Sequence, residues 1–250
     1  HRDLHSFPTR RSSDLKSLEW GATTGLGLFT KYNGIAEFYL YNSNTLLYRG
    51  ISESEMLPRR YKVSGFGIKA YHESLDDYTF PRVGAKGILK FNFARDPNIS
   101  DYVYSSVFGQ FNGYYPVSQA ISIDAGVKFG SYFNSATQDK VDPFKLGGTE
   151  GFLGYSRYEL SASYFRIFQT GLVYNPIRDL YINSGVQNLA YSDESFLSIR
   201  HANEFCFYTG VGIKTIVAPL KFDVALNKRG RVNVLFSIGY DRDIFTFSRK

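Results

Sequence analysis

Apolar and polar residues alternate with a period of two along most of this 250-residue chain. Ile121, Ile123, Ala125, Val127 and Phe129 are apolar, and Ser122, Asp124, Gly126, Lys128 and Gly130 beside them are polar or tiny. Leu220, Phe222, Val224 and Leu226 are set against Lys221, Asp223, Ala225 and Asn227. Val232, Val234, Phe236, Ile238 and Tyr240 are mostly set against Asn233, Ser237, Gly239 and Asp241. Successive side chains of a strand point to opposite faces, so such runs make a sheet with one apolar and one polar face.

The pattern predicts about eleven antiparallel strands and no long amphipathic helix. They fall near 18–31, 35–50, 61–74, 84–95, 102–115, 120–133, 158–174, 179–190, 205–217, 219–228 and 231–241. The seven prolines beyond residue 15, from Pro58 to Pro219, mark connections or strand ends, as residues without an N–H for the ladder should. Many of these runs exceed the roughly 5–6 residues usual for globular strands. Long alternating strands suit a transmembrane barrel, in which a strand needs only about 9–11 residues to cross and only every second one must be apolar. The mean hydropathy of −0.24 is compatible with that. Aromatic residues at strand ends (Tyr39, Tyr41, Tyr102, Tyr104, Tyr114, Tyr115, Tyr132 and Phe133) suit interfacial girdles. The alternative is a soluble sandwich or lectin-like barrel with those aromatics in its core.

Composition excludes several functions. The single cysteine, Cys206, allows neither an internal disulfide nor a cysteine-based zinc site. Of the four histidines, His1 and His5 lie in an atypical terminus, and His72 and His201 have no ligand cluster around them. The net charge of +6 is spread along the chain, without the basic stripe that nucleic-acid binding needs. Residues 1–15 lack any periodicity and resemble translated sequencing-adapter sequence. They are set apart as an artefactual or disordered terminus, and residues 16–250 are treated as one barrel segment.

One connection is exceptional. Residues 134–157 form a long loop rich in glycine (Gly147, Gly148, Gly151, Gly154) and aromatics (Phe144, Phe152, Tyr155). Loops beyond about 12–15 residues are usually functional or disordered. This composition points to a folded loop.

Four segments resemble those of a known family. LDDYTFPRVGAK (Leu75 to Lys86) is similar to a D-x-x-x-F-P-x-x-G hairpin. FKLGG (Phe144 to Gly148) followed by FLGY (Phe152 to Tyr155) is similar to an LGG … [VL]-R-G-[FY] loop. GVGIKTIVAPLKFDVAL (Gly210 to Leu226) is similar to G-x-G … G-P-[LI]-x-x-D, and FSIGY (Phe236 to Tyr240) to a closing strand. Together, over roughly residues 60–241, they resemble the C-terminal barrel of the BamA/TamA outer-membrane assembly-factor (bacterial surface antigen) superfamily. That group also holds two-partner secretion translocators and barrels fused to patatin-like phospholipases. The resemblance implies an all-β fold: an antiparallel transmembrane β-barrel, truncated to about eleven of sixteen strands. Loop 134–157 would be the long sixth outer loop, directed into the lumen.

In that family the loop arginine pairs with an aspartate of an F-x-D-x-G segment on the wall. Here Leu153 stands at the arginine position and Asn183 at the aspartate position. Losing both charges together avoids an uncompensated charge in a confined site. The resemblance therefore implies a lumen-loop motif of Gly147, Gly148, Phe152, Leu153, Gly154, Tyr155 and Arg157. It would dock on Tyr181, Asn183 and Gly185 of the inner wall through a neutral contact, with Tyr155 or a loop amide bonded to Asn183.

No catalytic set is present. The chain has no G-x-S-x-G and no D-G-[GA]; Asp124-Ala125-Gly126 is a poor echo on a strand. Gly210-Val211-Gly212 opens no helix and is no phosphate loop. Asp76 and Asp77 read as solvated turn charges. No enzyme activity, cofactor or metal is expected of this chain. Three functions fit. The first is an outer-membrane anchor or translocation pore, in the branch that carries a patatin-like phospholipase. The second is the barrel of an assembly or two-partner secretion translocator. The third is a passive solute-uptake barrel or a soluble binder. The partners expected are the outer-membrane bilayer and a translocated or fused polypeptide, in an integral outer-membrane location.

Overall fold

The computed structural model describes residues 15–30, 33–49, 59–96, 98–133, 144–149, 151–156, 159–192 and 202–239. Thirteen strands occur among them: β1 (Leu15–Thr30), β2 (Gly34–Arg49), β3 (Arg59–Glu73), β4 (Gly84–Ala94), β5 (Tyr104–Pro116), β6 (Ile121–Phe133), β7 (Phe144–Leu146), β8 (Leu160–Ala162), β9 (Tyr164–Ile177), β10 (Leu180–Ser192), β11 (Ala202–Ile213), β12 (Leu220–Asn227) and β13 (Val232–Ile238). Eleven form one sheet in the order β1-β2-β3-β4-β5-β6-β9-β10-β11-β12-β13, and β7 pairs with β8 alone. Every pairing is antiparallel, and no helix occurs among the described residues. A strand of 13 residues, such as β5, β6 or β10, is ~43 Å long. Tilted by about 45°, it matches a hydrocarbon core of about 30 Å.

Register turns the local alternation into two continuous faces. Gly126 lies opposite Gln169, Gln169 opposite Gln187, Gln187 opposite Cys206 and Cys206 opposite Asn227. Directly paired residues share a face, so this row crosses five strands on the inner side. The outer side carries Leu26, Leu28, Phe38, Ile68, Phe168, Leu172, Phe207, Phe222, Val234 and Phe236, all exposed. Soluble proteins rarely expose apolar patches beyond a few hundred Å². No second large sheet covers this face, so the sandwich alternative fails among the described residues. Strands β1 and β13 end the sheet without further partners there.

Two sequence expectations change. The seventh run, 158–174, is two elements: Leu160–Ala162 pairs back on Phe144–Leu146, and the wall strand starts at Tyr164. Most of the expected girdle aromatics face inward. Tyr39 is buried and donates to Asn92 Oδ1 at 2.5 Å, Tyr102 packs edge-on against Tyr61, and Tyr104 packs edge-on against Tyr132. Their positions in register, level with Asn92, Ser106 and Asp124, decide this. Tyr115 and Phe133 do stay exposed.

Leu172, near the middle of β9, faces outward and is half-exposed. Leu172→Arg should cost about 2–4 kcal/mol of folding free energy in lipid vesicles, read from urea titrations. An unchanged midpoint would place this face away from lipid.

Candidate functional site

Of the long loop, residues 144–149 and 151–156 are described, and they turn tightly back on themselves. Gly147 and Gly148 adopt φ of 102° and 86°, a conformation that glycine alone enters without strain. The chain then closes on itself: Gly148 N–H donates to Tyr155 O at 2.9 Å, and Gly151 N–H to Gly148 O at 3.1 Å. Phe152, Leu153 and Tyr155 are buried by this turn. They pack with Leu146, Phe165, Ile167, Leu189, Cys206, Tyr208 and Ala225 on the inner face. Each such burial is worth roughly 1.5–3 kcal/mol.

The polar contacts run through amides. Leu153 N–H donates to Gln187 Oε1 at 2.8 Å, Gln187 Nε2 to Gln169 Oε1 at 2.9 Å, and Gln169 Nε2 to Asp124 Oδ2 at 2.9 Å. All three donors point the same way, toward a carboxylate, so each bond polarises the next. On the other side Asn227 Nδ2 donates to Gly154 O at 3.1 Å, and Asn233 Nδ2 donates to Leu153 O at 2.8 Å and Tyr155 O at 2.9 Å. Gly154 is the point of closest approach. A Cβ there would lie 2.6 Å from the Phe152 ring and 3.0 Å from Cys206 Cβ.

Charge re-enters at the foot of the loop. Glu204, almost fully buried, accepts from Arg229 Nη2 at 2.7 Å, and Glu159 pairs with Arg231. Ser156 N–H donates to Glu159 Oε2 at 2.9 Å. The Tyr155 phenol is pushed up to about 12, first by burial and then by the negative charge of Glu204.

The expected wall partners are engaged elsewhere. Asn183 Nδ2 donates to Asp223 Oδ1 at 3.2 Å, and Tyr181 stacks on Phe80. At Gly185, a Cβ would lie 2.5 Å from Thr170 O and 2.7 Å from the Tyr208 hydroxyl. The anticipated Tyr155–Asn183 bond is not made. Asn183 lies four residues from Gln187 along β10, ~13 Å toward the other end of the barrel. Arg157 lies outside the described residues. Gln187, Gln169, Asn227 and Asn233 do not stand out in the sequence. Their shared signal is a polar amide at an inward position of an alternating strand.

No family model matches this sequence, and no curated protein does. Solved structures do. BamA from Haemophilus ducreyi lacking POTRA domains 1–3 is similar with a TM-score of 0.71 and 13% identity, over 90% of this chain and 54% of that one. CdiB from Acinetobacter baumannii is similar with a TM-score of 0.59 and 12% identity, over 90% of this chain and 41% of that one. The chain thus spans about half the length or less of these proteins. At such identities the likeness is one of fold: this sheet is the wall of a barrel of that kind.

Gly154→Ala should undock the loop, at a cost of about 1–3 kcal/mol, seen as faster amide exchange over residues 152–156. Gln187→Ala removes the acceptor of Leu153 N–H and the donor to Gln169 Oε1 and should cost a similar ~1–3 kcal/mol. A cycle pairing it with Asp124→Asn should show coupling, and strict additivity would break the chain into independent bonds. Tyr155 ionises later in the folded state than the ordinary phenol value of 10.0. Its contribution to docking is therefore full below pH ~10 and lost as pH rises through ~12. Phenolate absorbance, with Tyr155→Phe as reference, reads the transition.

Proposed function

We propose that this chain forms part of the wall of an integral outer-membrane β-barrel that handles polypeptides, serving as a membrane anchor and as an assembly or translocation pore. The observation that carries this is the pairing of an apolar outer face with a lumen occupied by the chain's own docked loop. A passive uptake barrel needs an open aqueous lumen. Here the cavity between the loop and the wall has a volume of about 220 Å³. The two fold neighbours, BamA and CdiB, favour the same reading.

Anchoring of a patatin-like lipolytic domain is the narrower form of this proposal, motivated by Leu153 and Asn183 at the positions of the family's ion pair. The broader form, assembly or secretion of other proteins, is the one that the fold neighbours favour. This chain carries no nucleophile turn, so the purified protein should not hydrolyse esters.

The test is photo-cross-linking in cells, with probes at inward positions such as Asn112 and at the β1 edge. Covalent adducts with polypeptides in the outer-membrane fraction are the expected result. Free passage of small solutes with no polypeptide adduct would refute the proposal. The coding sequence upstream separates its two forms. G-x-S-x-G with D-G-[GA] marks a lipolytic passenger, and tandem βααββ repeats mark an assembly or secretion factor.

A further inference from the structure

The connections opposite the long loop are short, with one exception. Ser74–Val83, between β3 and β4, has ten residues, against two to six in the other four connections at that end. It is not slack. Asp76 Oδ1 accepts from Arg82 N–H at 2.9 Å and Val83 N–H at 3.0 Å. Asp77 Oδ1 accepts from Thr79 N–H at 2.9 Å and Phe80 N–H at 3.1 Å. Two carboxylates thus shape the turn from within, as aspartates do in local side-chain-to-backbone turns.

Beyond its contacts with β4, it reaches distant parts of the sheet. Asp77 Oδ2 pairs with Lys214 Nζ, in the β11–β12 connection, at 2.5 Å. Phe80 is buried and stacks on Tyr181 of β10, with ring centroids 4.3 Å apart and planes 11° apart. Lys221 Nζ of β12 stands 5.5 Å from the Phe80 ring centroid. Beneath the ring is Gly212 of β11, where a Cβ would lie 2.1 Å from Phe80 Cε1. Arg82 donates to Ser118 O at 3.3 Å and to Gln119 O, in the β5–β6 connection. Four strands, β5, β6, β9 and β10, separate β4 from β11 in the sheet. The contacts of Asp77 and Phe80 with Lys214, Tyr181, Gly212 and Lys221 therefore cross the lumen as a chord, whereas those of Arg82 run along the rim to the neighbouring hairpin. Thr79, Phe80 and Pro81 line one side of the 220 Å³ cavity, and Thr149, Gly151 and Leu153 of the long loop line another.

We propose that the β3–β4 turn is a latch closing the short-turn mouth of the lumen, with Phe80 seated between Tyr181, Gly212 and Lys221 and the Asp77–Lys214 pair as its clasp. The space between the two inserted segments and the wall is then covered at both ends, and passage along it requires two releases: the long loop and this turn. The proposal deepens the barrel reading above and rests on it for the meaning of passage.

The test uses Asn112→Cys, which places a thiol on the wall of that space, in the chain folded in detergent micelles. The native Cys206 is fully buried and serves as the silent background. A bulky, charged maleimide should label the introduced thiol slowly when the latch is otherwise unaltered. Phe80→Ala and Gly212→Leu, which empty or fill the seat from opposite sides, should each speed labelling by about tenfold. Their combination should add nothing further, and Phe80→Tyr should stay slow. Lys214→Ala, a surface change that leaves the sheet intact, should give a smaller acceleration in the same direction. Labelling rates unchanged by Phe80→Ala and Gly212→Leu, in chains that keep their strand circular dichroism, would overturn the latch. Flotation with liposomes separates the two claims. A chain that labels as expected but does not float supports the latch and defeats the membrane reading.

Discussion

A sheet that turns an apolar face outward must satisfy all its polar chemistry on the inside or along its own ladders. The backbone does this strand by strand, and the side chains have only the concave face left. That constraint explains the contrast between Phe222, Val234 and Phe236, exposed on one side, and Asp124, Gln187 and Asp223, buried and bonded on the other. It also explains why the inner face is crowded. Polar groups held in a narrow space need partners, and the long loop and the β3–β4 turn supply backbone donors, acceptors and rings to a wall that would otherwise lack them.

The docked loop shows how such a contact survives without a central ion pair. A single neutral hydrogen bond nets only about 0.5–1.5 kcal/mol. Here two loop carbonyls are held by the one Asn233 amide, a third by Asn227, and a loop N–H begins an aligned relay to Asp124. Apolar burial of Phe152, Leu153 and Tyr155 adds area that no ion pair could replace. The remaining charges, Glu204 with Arg229 and Glu159 with Arg231, sit where the loop leaves the wall. Their arginines are more than half exposed, which spares them the full cost of desolvation.

The two inserted segments meet the wall at different levels. The loop uses Gln187, Cys206, Asn227 and Asn233; the turn uses Tyr181, Gly212, Lys214 and Lys221. Strands β10, β11 and β12 serve both, a few residues apart along each strand. Glycines mark both contact zones, Gly154 on the loop and Gly212 on the wall, because a Cβ at either would collide with a ring.

Period-two alternation by itself determined the wall. It is a local property, set by the geometry of successive residues, so ten of the eleven long strands could be placed to within a few residues without knowing what they pair with. The folded character of the long loop was equally legible, since Gly147 and Gly148 beside Phe152 and Tyr155 have few other uses. The loop's partners were not. Asp124, Gln169, Gln187, Asn227 and Asn233 come from five strands, and only register brings them within two residues of one level. Tyr181 looked like a loop partner and is instead the seat of Phe80. Asp77 looked like a solvated turn charge and is a clasp across the lumen. Such contacts join residues over a hundred positions apart through empty space, and curvature, a property of the whole sheet, decides which of them meet.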